Sequence, residues 1–303
     1  MDNDKAPRNA IDETALNSLK NKIDELPILP QVLVRILQVN VADEDYFEQV
    51  EALATEDPPF AVRLVALANS AGAASVSPIK SIRDALTRVG AVTITNLVAS
   101  LAVQRVFVPK KPSEIALWGH SISVAVCAET IAHATPTLKF EPGEAYLAGL
   151  LHDIGRFVMF EHAPDQLLKV DEANWHTPDE LIEADVEIFK FTHSELGYLA
   201  CNRWSLPAEI ADVVRRHHEP LVSPVAAGSV EAGVLCIGFA DRLSMLLEKE
   251  ELDPEDNDGW AELIQQKCPQ APDGKLLMPP AELAAHIPAI KERTSGLMAG
   301  LGM

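Results

Sequence analysis

Aromatic residues are scarce in this 303-residue chain, at 5% of the total, and basic residues are outnumbered. Against 25 Lys and Arg stand 45 Asp and Glu, a formal net charge of −20. Phosphate backbones are neutralised by basic faces, so this deficit argues against a nucleic-acid binder and against docking on an anionic membrane surface. The four cysteines, Cys127, Cys201, Cys236 and Cys268, form no CxxC pair and read as reduced thiols. No apolar run reaches the roughly 18 residues of a membrane span. The polar start Met1-Asp2-Asn3-Asp4-Lys5 is not followed by the apolar stretch of a secretory signal. A cytoplasmic, reducing setting is the expectation. The chain also lacks a Walker-type phosphate loop, a nucleophile elbow and an internal repeat.

What is present is a globular composition, 48% apolar and 23% charged. Runs rich in Ala, Leu and Val recur between Pro and Gly breaks without period-2 alternation of β-branched residues, which predicts an all-α protein. Pro30 and Asp57-Pro58-Pro59 each open a helix, Ser81-Ile82-Arg83-Asp84 reads as a cap, and Gly90 precedes a helix over Val92 to Val103. The pattern breaks at Lys110-Lys111-Pro112. Beyond it, helices are expected from Ser113 to Ala134, from Glu144 to His152 with Gly155 as the stop, from Thr177-Pro178, from Pro207 to His217-His218, and from Val230 to Leu247. Residues 248 to 262 are rich in acids and read as a solvated loop, and a last helix runs from Pro280 to Leu297. The expected layout is a tail (1–20), an N-terminal helical subdomain (21–111), a helical bundle (112–247), and an acidic loop with a C-terminal helix (248–303). The helix–Gly–helix outline from Ala85 to Ser100 invites comparison with a DNA-reading motif, but its second helix, Ala91-Val-Thr-Ile-Thr-Asn-Leu-Val-Ala99, reads as core.

The nine histidines are not scattered. His152 and Asp153 adjoin at the end of an apolar helix, where both can reach one metal centre and the carboxylate can bridge two ions. His120 lies in mid-helix, His193 at a helix start, and His217 and His218 at a helix end. Asp241 sits inside the apolar run Leu235-Cys-Ile-Gly-Phe-Ala240, where a carboxylate is costly to bury unless paired or metal-bound. Any one of these histidines reads most simply as a hydrogen-bonded core residue; the joint pattern is what points to a metal. Imidazole and carboxylate donors without thiolate suit Fe, Mn, Zn or Co. His133, His162, His176 and His286 read as surface residues, Trp118 and Trp204 as core.

The pattern His120…His152-Asp153…Asp241 resembles the metal-binding signature of the HD superfamily of phosphohydrolases. The words around it resemble the HDOD domain, a regulatory branch of that superfamily. They are Leu26-Pro-Ile-Leu-Pro30, Asp57-Pro-Pro-Phe-Ala-Val-Arg-Leu-Val-Ala-Leu-Ala-Asn-Ser70, Pro78-Ile-Lys-Ser-Ile-Arg-Asp-Ala-Leu-Thr-Arg-Val-Gly90, Trp118-Gly-His-Ser121, Gly149-Leu-Leu-His-Asp-Ile-Gly155, His193-Ser-Glu-Leu-Gly-Tyr-Leu-Ala200, Trp204-Ser-Leu-Pro207 and His217-His-Glu-Pro220. The resemblance implies an N-terminal helical subdomain packed against an HD-like helical bundle, and a role in bacterial signalling. It implies as metal ligands His120, His152, Asp153, His193, His217 or His218, and Asp241, holding one or two divalent ions of Fe, Mn, Zn, Ni or Co. Two departures separate the chain from the HD-GYP phosphodiesterases it also resembles. Arg156 stands where those enzymes carry Lys, and Pro220-Leu-Val-Ser-Pro224 follows the histidine pair with no Gly-Tyr-Pro. Hydrolysis of cyclic di-GMP is therefore not expected.

Two functions compete. The first is a non-catalytic signalling scaffold that binds a protein partner, its metal acting as a staple. The second is a metal-dependent phosphohydrolase in which Asp153 and Arg156 are catalytic, Arg156 orienting a phosphate. The signal is expected from a separate protein or a small ligand, with homo-oligomerisation left open and neither nucleic acid nor membrane as a partner.

Overall fold

The computed structural model describes residues 43–55, Asp84, Thr87, 90–173 and 175–303, and no strand occurs among them. The fold is all-α. In chain order the helices are α1 (Tyr46–Thr55), α2 (Ala91–Val106), α3 (Pro112–Ala134), α4 (Pro142–Leu151), α5 (Ile154–His162), α6 (Pro164–Glu172), α7 (Pro178–Phe189), α8 (His193–Arg203), α9 (Ala208–Arg216), α10 (Val230–Lys249), α11 (Asn257–Lys267), α12 (Pro280–Ala284) and α13 (Ile287–Gly300). A 3-10 turn, Pro136–Leu138, joins α3 to α4. The described residues form two compact units. One is 151–220, carrying α5 to α9; the other comprises the described residues up to 150 together with 221–303.

In the larger unit α3 is the core helix, packed against α10 and α13. Its residues from Ser121 to Glu129 are all buried, so it is apolar on every side rather than along one stripe. By length and composition α3 could cross a membrane, which the sequence alone did not suggest, but 72% of its most apolar window lies inside the protein. Burying each of Ile122, Val124 and Ile131 is worth about 1.5–3 kcal/mol. Gly149 lets α4 cross α3 closely: a Cβ there would stand 2.8 Å from the Ala125 Cα. The Trp118 indole, buried, donates to the Phe107 carbonyl at 3.2 Å. Buried Glu129 accepts from the Asn96 amide at 2.7 Å and from the Arg293 guanidinium, tying α2, α3 and α13 together. Ile94, Leu97 and Val98 of α2 are fully buried, so the second helix of the helix–Gly–helix outline is core. Lys110-Lys111-Pro112 separates α2 from α3, both of which lie in this unit.

In the smaller unit α8 packs on α5 and α9, and α6 packs on α5 and α7. Local chemistry sets the helix starts. Pro164 and Pro178 occupy first turns, where a missing N–H costs nothing. The Thr177 hydroxyl accepts from the Glu180 N–H at 3.3 Å. Thr192 and Glu195 form a full capping box: the Thr192 hydroxyl accepts from the Glu195 N–H at 3.2 Å, and the Glu195 carboxylate accepts from the Thr192 N–H at 3.0 Å.

Several sequence expectations need correction. The chain breaks at His152-Asp153, and Gly155 lies inside the first turn of α5 instead of stopping a helix. Neither α5 nor α6 was anticipated. The acidic stretch is not all loop, since α10 runs on through Glu248 to Lys249 and α11 begins at Asn257. The final helix is two, α12 and α13, divided at Ala285-His286. The helices expected from Pro30 and from Asp57-Pro58-Pro59, and the cap at Ser81-Ile82-Arg83, lie outside the described residues. All four cysteines are free and buried, and burial pushes the Cys201, Cys236 and Cys268 thiols up to about 12.

Candidate metal centre

The expected donors divide between the two units. Five of them, His152, Asp153, His193, His217 and His218, belong to the smaller unit; His120 and Asp241 belong to the larger. Asp153 is the residue before α5, His193 the first residue of α8, and His217 the residue that ends α9. Three helix ends therefore meet, and they do so because two glycines allow it. A Cβ on Gly155 would stand 1.9 Å from the His193 carbonyl oxygen, and one on Gly197 would stand 2.9 Å from Val214 Cγ1.

The donor atoms of Asp153, His193, His217 and His218 all lie within 4.8 Å of one another. His193 Nε2 is 3.1 Å from Asp153 Oδ1, 3.1 Å from His218 Nε2 and 3.5 Å from His217 Nε2. His217 Nε2 is 4.0 Å from Asp153 Oδ1. His152 flanks the group, its Nε2 3.7 Å from Asp153 Oδ2 and its ring edge-on to that of His217 at 5.1 Å. His193, His217 and Asp153 are 0%, 3% and 5% exposed, while His218 is half-buried.

The electrostatics follow from this crowding. Burial alone would raise the Asp153 carboxyl, but His152, His193 and Arg156 together hold it well below the usual carboxylate range. Burial works against a charged His193, yet Asp153 and Asp185 outweigh it and push its pKa up to about 9. His217 moves the other way: burial and the neighbouring His218, His152 and His193 rings depress it, leaving a neutral imidazole. His217 Nδ1 donates to the Val214 carbonyl at 2.7 Å, and a carbonyl can only accept, so the neutral ring presents a lone pair at Nε2 to the cluster.

Ring nitrogens and a carboxylate that converge at 3.1–4.0 Å can share a cation between them. With bonds of about 2.1 Å, the donor–donor edges of a tetrahedral site are about 3.4 Å, inside the observed range. The residues present therefore fit a divalent transition metal held by three imidazoles and a carboxylate, a thiolate-free set suited to Fe, Mn, Zn, Ni or Co.

The sequence missed two carboxylates here. Asp185 of α7, fully buried, accepts from the His193 backbone N–H at 2.9 Å and from its Nδ1–H at 2.6 Å. Its signal was an acid on the otherwise apolar face Leu181, Asp185, Phe189. Asp171 of α6 accepts from Arg156 Nη2 at 2.7 Å, and Arg156 Nε lies 3.7 Å from Asp153 Oδ2, so the guanidinium is held between two carboxylates.

In the larger unit His120 pairs with Asp241. His120 Nε2 is 3.2 Å from Asp241 Oδ1, and its Nδ1 is 3.1 Å from Glu248 Oε1. The Ser244 hydroxyl donates to Glu248 at 3.1 Å. Asp241, Ser244 and Glu248 follow one helical face of α10, a spacing that would have located Glu248 had the helix been continued past Leu247. Burial opposes charge on His120, but Asp241 and Glu248 prevail and raise its pKa to about 10.

The HDOD domain family profile matches residues 26–220. Among curated proteins, an uncharacterised protein of Treponema pallidum (strain Nichols) is 28% identical over 220 residues, 69% of this chain, and the chain spans 42% of that relative's length. Among solved structures, an HDOD domain protein of unknown function from Geobacter sulfurreducens is 26% identical with a TM-score of 0.69, covering 94% of this chain and 96% of its own. A Shewanella amazonensis SB2B protein, provisionally named a phosphohydrolase, has the same TM-score at 22% identity, covering 94% and 98%, and at that identity it shows the fold alone. On the match across residues 26–220, the chain belongs to the HDOD domain family.

Proposed function

We propose that the chain is a non-catalytic signalling module of the bacterial cytoplasm, in which Asp153, His193, His217 and His218 hold a divalent transition metal as a staple and the helical surfaces engage a protein partner. The observation that carries this reading is the enclosure of the donors. Structural metal sites are closed, whereas catalytic ones keep a position open for water or substrate. Here three of the four donor residues are buried, and His193 Nδ1 is engaged by Asp185. Bound there, the metal would supply a fixed positive charge and join the ends of α5, α8 and α9. Arg156 supports the same reading, because it is buried and its guanidinium pairs with Asp171 and Asp153. The position of Lys in the hydrolytic relatives is thus filled by a residue that acts internally.

A second reading, a metal-dependent phosphohydrolase, is favoured by His218, the one donor of the four that is half-buried and not buried, and by the thiolate-free donor set. Elemental analysis of protein purified without an affinity-metal step separates the two. The scaffold reading expects about one equivalent of metal. That metal is lost in a His193→Ala/His217→Ala variant, and a phosphoester panel supplemented with Mn, Fe, Co or Ni shows no turnover. Turnover that vanishes in the double variant would transfer the protein to the second reading, and a metal-free protein after anaerobic reconstitution would sink both.

A further inference from the structure

We infer that Asp185 is the positioning residue of the donor cluster: it holds the His193 ring so that Nε2 faces Asp153, His217 and His218 while Nδ1 carries a permanent proton. The inference rests on the metal reading above and extends it to a residue outside the donor set.

The geometry is specific. A single oxygen, Oδ2, accepts from both the backbone N–H and the Nδ1–H of His193, at 2.9 and 2.6 Å. One point of attachment fixes where the residue begins its helix and the other fixes how its ring is turned, so the two bonds together leave the imidazole one orientation. The backbone bond also satisfies an N–H that the first turn of α8 cannot pair internally. Asp185 Oδ1 finds no hydrogen-bond donor among the described residues, so both hydrogen bonds of this carboxylate go to His193. Its neighbours on α7, Leu181, Ala184 and Phe189, are buried and apolar, so packing alone would place an aliphatic side chain here. A carboxylate with no exposure is costly to bury, and the structure keeps it where it orients a ligand nitrogen.

The test uses the full chain, cobalt(II) as probe and three proteins: wild type, Asp185→Ala and Asp185→Asn. The asparagine amide oxygen can take the place of Oδ2 and accept both bonds. Asp185→Ala is expected to weaken cobalt binding 10- to 100-fold and to shift the cobalt ligand-field bands, whereas Asp185→Asn stays within a few-fold and restores the bands. Nitrogen-15 NMR of wild type is expected to show a proton on His193 Nδ1, strongly deshielded, with and without cobalt. If Asp185→Ala does not fold, this readout still decides the matter. A His193 protonated only at Nε2, or an Asp185→Ala protein that binds cobalt like wild type with the same bands, overturns the positioning role and leaves the metal reading intact. Failure of wild type to take up cobalt overturns both.

Discussion

Gly155 shows how much one side chain decides. A methyl group there would collide with the His193 carbonyl at 1.9 Å and the Gly197 nitrogen at 2.9 Å, both backbone atoms that cannot swing aside. Gly155→Ala is expected to cost about 3 kcal/mol in urea unfolding, because α5 and α8 must separate, and to part Asp153 from His193. A loss below about 1 kcal/mol, within the range of an ordinary surface substitution, would mean the contact is slack. His120 carries a pH signature of its own. Its pKa rises from 6.5 to about 10 in the folded protein, through Asp241 and Glu248 acting against burial. A raised folded pKa contributes stability that is complete below the unfolded value and is lost as pH climbs through the folded one. The gap in unfolding midpoint between wild type and His120→Gln should therefore be widest near pH 6 and close by about pH 10.5. A gap that widens with pH would contradict the pairing.

Elements inherit their reach from such residues. The capping box of Thr192 and Glu195 starts α8 with His193 as its first residue, so the local signal for a helix also aims a donor. Thr192→Ala removes one acceptor of that box and is expected to lower stability by about 1 kcal/mol and to speed amide exchange in the first turn of α8. Unchanged exchange there would show that packing on α5 and α9 holds the turn alone. Helix α10 works differently. One of its faces presents Asp241, Ser244 and Glu248 to His120, while Leu243, Leu246 and Leu247 are buried. Helix α3 is apolar enough on paper for a membrane, and 72% of its most apolar window is enclosed by its neighbours.

At the scale of the molecule, the proposed metal acts on one unit. Chelation should lower the thermal midpoint and loosen α5, α8 and α9, with α3 and α10 still protected in hydrogen exchange; at a hundredfold excess of metal over its dissociation constant the loss is about 2.7 kcal/mol. Loosening spread evenly over both units would contradict a staple confined to 151–220. Much of this was legible beforehand. The all-α class and the helices opened by Pro178, His193 and Pro207 followed from caps, prolines and apolar runs, which are short-range free energies between residues near in the chain; the family words were legible by resemblance. Histidines at helix ends could be seen as candidates for the same reason. What only the tertiary structure decided was the company they keep: that His193 meets residues 24 and 25 positions away, that Asp185 grips it, that Glu248 joins His120, and that Gly155 is a contact and not a stop. Convergence of that kind is set by how helices pack, a balance of buried area and close approach that no local pattern encodes.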